Sequence, residues 1–190
     1  MSYLRKIAMA AAALALVGGS AFAASDAETI ALFKKAPESR EYFNSAYGYA
    51  VFPTIAKGGV GIGAAHGDGS LYRGGKYTGD VSMTQLSVGL QLGAEAFSEI
   101  IFFKDKSAYD KFTSGNFEFD AKASVTAITA NASATAGTQG ASAGAGTSKK
   151  DTQNDAAGYH DGMVVFTVTK GGLMYEAVIA GQKFKYKGKS

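Results

Sequence analysis

The 190-residue sequence contains no cysteine, no tryptophan and only 2 prolines. Without cysteine we expect no disulfide, no zinc-thiolate site, no cysteine nucleophile and no lipid-modified cysteine of the lipoprotein type. Two prolines exclude a proline-rich or collagen-like polymer. The 46% hydrophobic content is that of a globular protein, and 10 tyrosines and 12 phenylalanines supply bulk for a core.

The N-terminus has the pattern of a secretory signal peptide. A positive start at Arg5 and Lys6 precedes an apolar run (7–17), and a small-x-small cleavage motif follows. The run is shorter than the ~20 residues that a membrane-spanning helix needs. We therefore expect residues 1–23 to be removed, residues 24–190 to form a single domain, and the protein to be periplasmic or secreted.

The expected mature chain also has almost no net charge. Removing Arg5 and Lys6 from the 19 basic residues leaves 17, against 16 acidic residues. This balance gives no electrostatic case for binding nucleic acid. Attraction of an anionic ligand would have to come from local clusters of basic residues.

The order of the predicted elements is helices first, then many short strands. Ser25 and Glu28 form a capping box, Pro37 suits the first turn of a second helix, and Asp105 suits the cap of a short inserted helix. After Gly48 the apolar residues alternate, and glycine-rich pairs predict turns. The predicted turns are Lys57-Gly58-Gly59, Asp68-Gly69 and Gly74-Gly75.

These elements predict an α+β fold in which N-terminal helices pack on a curved antiparallel sheet or partial β-barrel with one short inserted helix. One stretch departs from the strand pattern. No charged residue occurs between Ala123 and Ser148, and small residues dominate there. We predict a flexible loop near 131–155, while residues 131–148 remain open to either an ordered strand or a loop.

Motifs of catalytic type are weak. The segment GVGIGA (59–64) matches a dinucleotide fingerprint but lies in an alternating strand, and GASAG (140–144) matches a nucleophile elbow in a small-residue stretch without helix signals. His66 and His160 both lie beside predicted turns, where exposed polar residues are ordinary. We predict no catalytic residues, no metal site and no cofactor.

Basic residues near turns and in the last strand are the candidate binding residues. The C-terminal segment KFKYKGK (183–189) alternates lysine with aromatic residues, which places its lysines on one face of a strand. Two interpretations stay open: an edge strand that lysines protect from aggregation, or a surface for anionic lipid headgroups. The candidate lipid-binding residues are Lys57, Arg73, Lys76, Lys183, Lys185 and Lys187.

Four segments resemble the SYLF-domain family. They are AYGYAVFP (46–53) with KGGVGIG (57–63), SVGLQLGAE (87–95), and GGLM (171–174), and they occur in the family's order. The resemblance covers nearly the whole expected mature chain. It implies a SYLF-like lipid-binding domain without agreed catalytic residues, exported in bacterial relatives.

The resemblance and the basic residues together predict a non-enzymatic, exported protein that binds anionic phospholipid or a membrane surface. The alternative is a structural or stress-related envelope protein that acts through contacts with another protein. Binding to anionic vesicles discriminates between the two functions.

Overall fold

A computed structural model describes residues 24–119, 125–128, 158–169 and 181–189 of the chain. Four short helices and six strands form in these ranges. The helices are α1 (Asp26–Lys35), α2 (Pro37–Arg40), α3 (Tyr42–Ser45) and α4 (Lys106–Phe112). The strands are β1 (Gly48–Arg73), β2 (Lys76–Phe103), β3 (Phe117–Glu118), β4 (Val125–Ile128), β5 (Met163–Thr169) and β6 (Lys183–Gly188). The predicted signal peptide and the predicted loop at 131–155 lie outside the described residues.

Both predicted helix caps are confirmed. The Ser25 side chain accepts a hydrogen bond from the Glu28 backbone N–H, and the Glu28 carboxylate accepts one from the Ser25 N–H. The Asp105 carboxylate accepts a hydrogen bond from the Ala108 N–H at 3.0 Å at the start of α4. The second predicted helix divides into α2 and α3 around Glu41.

A single long hairpin of β1 and β2 dominates the fold. Its turn is Gly74-Gly75, where both glycines have positive φ (55° and 76°), the conformation that a tight two-residue hairpin turn requires. The turns predicted at Lys57-Gly58-Gly59 and at Asp68-Gly69 are wrong, because β1 continues through both segments and pairs with β2. The glycines there serve the packing of strands instead of a reversal of the chain.

The hairpin folds back over itself. A straight strand of the 26 residues of β1 would be about 85 Å long, far beyond the size of a domain of this length. A Cβ on Gly48 would lie 2.5 Å from the Tyr72 carbonyl oxygen, and one on Gly69 would lie 2.4 Å from the Val51 carbonyl oxygen. Glycine is therefore required where the two ends of β1 cross.

We call residues 62–73 and 76–86 the tip half of the hairpin, and residues 48–58 and 95–103 the base half. Both β5 and β6 pair with the edge of β2 that β1 leaves open, β6 along the tip half and β5 along the base half. The sheet order is β3-β6-β2-β5-β4, with β1 beside β2. The predicted curved antiparallel sheet is thus confirmed in outline, with one correction: β4 and β5 pair in parallel.

Two apolar clusters lie on opposite faces of the base half. The larger one fills the space between the two halves of the hairpin and is rich in phenylalanine, including Phe52, Phe103, Phe112 and Phe184. The smaller one gathers around Phe102, with Phe33 of α1 fully buried in it. Both faces of residues 97–103 are covered by apolar side chains, so this segment is a central strand of the sheet.

Candidate functional site

The lysines of β6 form a row on one exposed face, as their alternation predicts. Lys183, Lys185 and Lys187, called here the lysine row, are all exposed, whereas Phe184 between them is 1% exposed and lies in the larger core. In the register with β2, the three lysines lie opposite Thr84, Ser82 and Asp80. We call this side of the tip half and β6 the outer face. The burial of Phe184 holds the strand so that the lysines point into solvent.

Acidic residues accompany the lysine row and partly neutralise it. The Lys183 Nζ lies 3.5 Å from a Glu118 carboxylate oxygen, in a pair whose side chains are both largely solvent-exposed. Asp80 lies opposite Lys187 and also accepts a hydrogen bond from the Tyr77 hydroxyl at 2.5 Å. Exposed ion pairs of this kind contribute little to stability. The electrostatic attraction of the face for an anionic surface is correspondingly moderate.

The position of β6 bears on the edge-strand interpretation. β3 pairs with β6 at Lys183 and Phe184, while β2 pairs with its other edge. The first part of β6 is therefore an interior strand, and its backbone groups there are already hydrogen-bonded. Protection from edge-to-edge aggregation does not explain Lys183.

Arg73 and Lys76 project from the hairpin turn, as predicted. They are directly opposed in the register, and both are exposed. The guanidinium carbon of Arg73 lies 5.9 Å from the centroid of the Tyr109 ring, within the range of a cation–π contact. Arg73 is thereby held against Tyr109 of α4.

Lys57 stands apart from the other five candidates. It lies in the base half opposite Glu95 and is only partly exposed. The six predicted residues therefore divide into three places: the lysine row, the hairpin turn and the base half.

An apolar group that the sequence analysis missed adjoins the lysine row. Ile62 is 67% exposed and Leu86 is 79% exposed, and Ala64 between them is also exposed. Ala64 lies directly opposite Leu86 in the register. We call Ile62, Ala64 and Leu86 the apolar end of the outer face. Alternation in the sequence predicts which residues share a face of a strand, but it does not predict which of the two faces is buried.

Three buried polar side chains lie in the base half, in β5 and just before β6. Glu99, Thr167 and Gln182 are all 0% exposed. The Gln182 amide nitrogen donates a hydrogen bond to a Glu99 carboxylate oxygen at 3.0 Å, and the second Glu99 oxygen, Oε1, has no partner among the described residues. Burial raises the pKa of Glu99 to about 7, and the hydrogen bond from Gln182 acts in the opposite direction.

The two histidines lie in ordinary surroundings. The His66 Nε2 lies 3.7 Å from an Asp68 carboxylate oxygen, and both side chains are exposed on the outer face. His160 exchanges backbone hydrogen bonds with Met163. The described part of the chain holds no cluster of three or more His, Asp or Glu side chains arranged to bind a metal ion. Its helices also include none that is both long and apolar enough to span a membrane.

Comparison with known proteins places this sheet in a family. A family model described as "Ysc84: Las17-binding protein actin regulator" matches residues 84–187, more than half of the chain. The chain belongs to this family, that of the SYLF domain, and the resemblance seen in the sequence is confirmed. The matched segment includes Leu86 and the whole lysine row.

A more distant relative has a curated name. The chain is 27% identical to Beta cell expansion factor A of Aeromonas veronii over 164 residues, which cover 84% of this chain and 53% of that protein. The chain thus spans about half the length of the relative.

Proposed function

We propose that this chain is an exported, non-enzymatic protein that binds a membrane surface through anionic phospholipid headgroups. The observation that carries the proposal is the lysine row, three exposed ammonium groups at alternate positions of one strand. Membership of the Ysc84 family supports a function in lipid or actin-related binding. Export rests on the N-terminal sequence pattern.

The geometry supports contact with several headgroups at once. Alternate residues of a strand lie about 7 Å apart, so Lys183 and Lys187 span about 13 Å along β6. A lysine close to an anionic membrane contributes about 1 kcal/mol of attraction. The ion pair between Lys183 and Glu118 reduces this sum, since a paired ammonium attracts a phosphate less strongly.

The experiment compares the wild-type mature protein with the variant Lys183→Gln/Lys185→Gln/Lys187→Gln. Binding is measured by sedimentation with vesicles of equal parts phosphatidylglycerol and phosphatidylcholine, and with vesicles of phosphatidylcholine alone. A matched control neutralises three exposed basic residues of the N-terminal helices, as Lys34→Gln/Lys35→Gln/Arg40→Gln. Both variants lose the same charge.

We expect the lysine-row variant to bind the anionic vesicles at least tenfold more weakly and the control to bind like wild type. Binding of the wild type should also weaken as salt rises, because the attraction is screened over ~8 Å at physiological ionic strength. If the folded wild type binds neither kind of vesicle, the proposal is refuted. The alternative of an envelope protein acting through protein contacts then becomes the better explanation.

A further inference from the structure

At its apolar end, the outer face exposes large apolar side chains to solvent, which is the opposite of the usual arrangement in a sheet. Leu86 and Ile62 are the two most exposed of the large apolar side chains in the described residues, at 79% and 67%. Their neighbour Gln85 points the opposite way and is only 6% exposed. In a sheet with one solvated face, apolar residues normally line the core and polar residues face water.

Tertiary structure maintains this reversal. The inward side of the tip half already holds Gln85, and Gln182, just before β6, is fully buried and donates a hydrogen bond to Glu99 of the base half. A shift of the register by one residue would bury Leu86, but it would also move every other side chain of the strand to the wrong face. The exposure of Leu86 and Ile62 is therefore part of the fold, and it contributes no stability in water.

The apolar end is continuous with the lysine row. Leu86 lies two positions along β2 from Thr84, about 7 Å, and Thr84 is opposite Lys183. Along the outer face an apolar group is thus followed directly by ammonium groups. This is the order of groups met at the boundary between the hydrocarbon of a bilayer and its phosphates.

We propose that the apolar end enters the hydrocarbon boundary of a lipid bilayer while the lysine row contacts the headgroups. This inference rests on the proposed function and adds the part of the chain that penetrates. A second protein copy fits the apolar end less well, since two large apolar side chains offer far less than the ~800 Å² per partner of a stable interface. A bilayer requires no complementary shape.

The absence of tryptophan allows a direct test. Leu86→Trp introduces a sole tryptophan at the apolar end, and Leu32→Trp places one at an exposed position of α1 as the matched control. Each mature variant is mixed with phosphatidylglycerol–phosphatidylcholine vesicles that contain lipids brominated on the acyl chains. We expect bromine to quench the fluorescence of Leu86→Trp and not that of Leu32→Trp.

A double variant measures the contribution of the apolar end to vesicle binding. Ile62→Thr/Leu86→Thr places a β-branched, strand-compatible residue at each position and should weaken vesicle binding at least tenfold, with a salt dependence like that of wild type. If the wild type binds anionic vesicles but Leu86→Trp is not quenched, the inference is refuted and the proposed function stands. If the wild type has the mass of a dimer in the absence of lipid and Ile62→Thr/Leu86→Thr has that of a monomer, the apolar end mediates self-association, and the insertion inference is refuted. Failure of the wild type to bind any vesicle would refute both proposals.

Discussion

Glu99 should make the protein less stable as the pH rises through the weakly acidic range. Glu99 pairs in the sheet with Phe52 of β1 and Thr167 of β5, its side chain is fully buried, and burial raises its pKa from 4.5 to about 7. Between these values the folded state holds a proton that the unfolded chain releases, so raising the pH favours unfolding. At about 1.4 kcal/mol for each pH unit between the two pKa values, the free energy of unfolding falls by about 3 kcal/mol from pH 4.5 to pH 7.

The variant Glu99→Gln isolates this contribution. Its amide retains an oxygen that can accept the hydrogen bond from Gln182, and it cannot ionise. We expect wild type and variant to be similarly stable near pH 4, and the variant to be more stable by up to about 3 kcal/mol at pH 8. The assay is urea unfolding followed by far-UV circular dichroism at several pH values.

The difference between the two proteins, and not the wild-type curve alone, is the measured quantity. Every other ionisable group of the chain is present in both proteins, so its contribution cancels in the difference. A difference that stays constant from pH 4 to pH 8 would refute the reasoning, because it would mean that the Glu99 carboxyl ionises equally easily in the folded and unfolded chains.

Three further predictions concern the crossing of the hairpin, the docking of α1 and the N-terminus. Gly69→Ala should lower the free energy of unfolding by about 1–3 kcal/mol in urea titrations, because the new Cβ would lie 2.4 Å from the Val51 carbonyl oxygen; unchanged stability would contradict the crossing. Tyr72→Phe removes the 3.0 Å hydrogen bond from its hydroxyl to Asp26 and should cost about 1 kcal/mol, with faster amide exchange in α1 as the measurement; the double variant with Asp26→Ala should cost little more. N-terminal sequencing of the protein exported by its native host should begin at Ala24, and an intact Met1 there would refute export by a cleaved signal.

Short sequence patterns predict the helix caps and the hairpin turn of this fold. The caps at Ser25 and Asp105 depend on side chains within three residues of the amides they satisfy, so short sequence patterns identify them. The Gly74-Gly75 turn is found in the same way. Asp68-Gly69 has an equally good turn composition, yet it lies inside β1. A distant part of the same strand, at Val51, passes so close to residue 69 that only glycine fits there. No short sequence pattern indicates such a contact.

In the candidate site too, the sequence predicts the local features and the fold decides the others. Alternation places Lys183, Lys185 and Lys187 on one face, and the structure agrees. Leu86 and Gln85 form an equally regular alternation, but their burial is opposite to expectation because the fold of the hairpin decides which side is enclosed. Lys57 lies beside glycines whose composition predicts a turn, as for Arg73 and Lys76, whereas the sheet puts Lys57 in the base half.

The pairing of β6 with the tip half of the hairpin makes the order of folding depend on the end of the chain. β1 and β2 are complete by Phe103, but the open edge of β2 from Gly79 to Thr84 acquires its partner only when Lys183–Gly188 is available. Phe184 likewise enters the core beside Phe52, more than 130 positions earlier in the sequence. Contacts so distant in sequence slow folding, since a long loop must close before they form. A chain built in this way stays incompletely folded until Lys183–Gly188 has been made and has paired with β2.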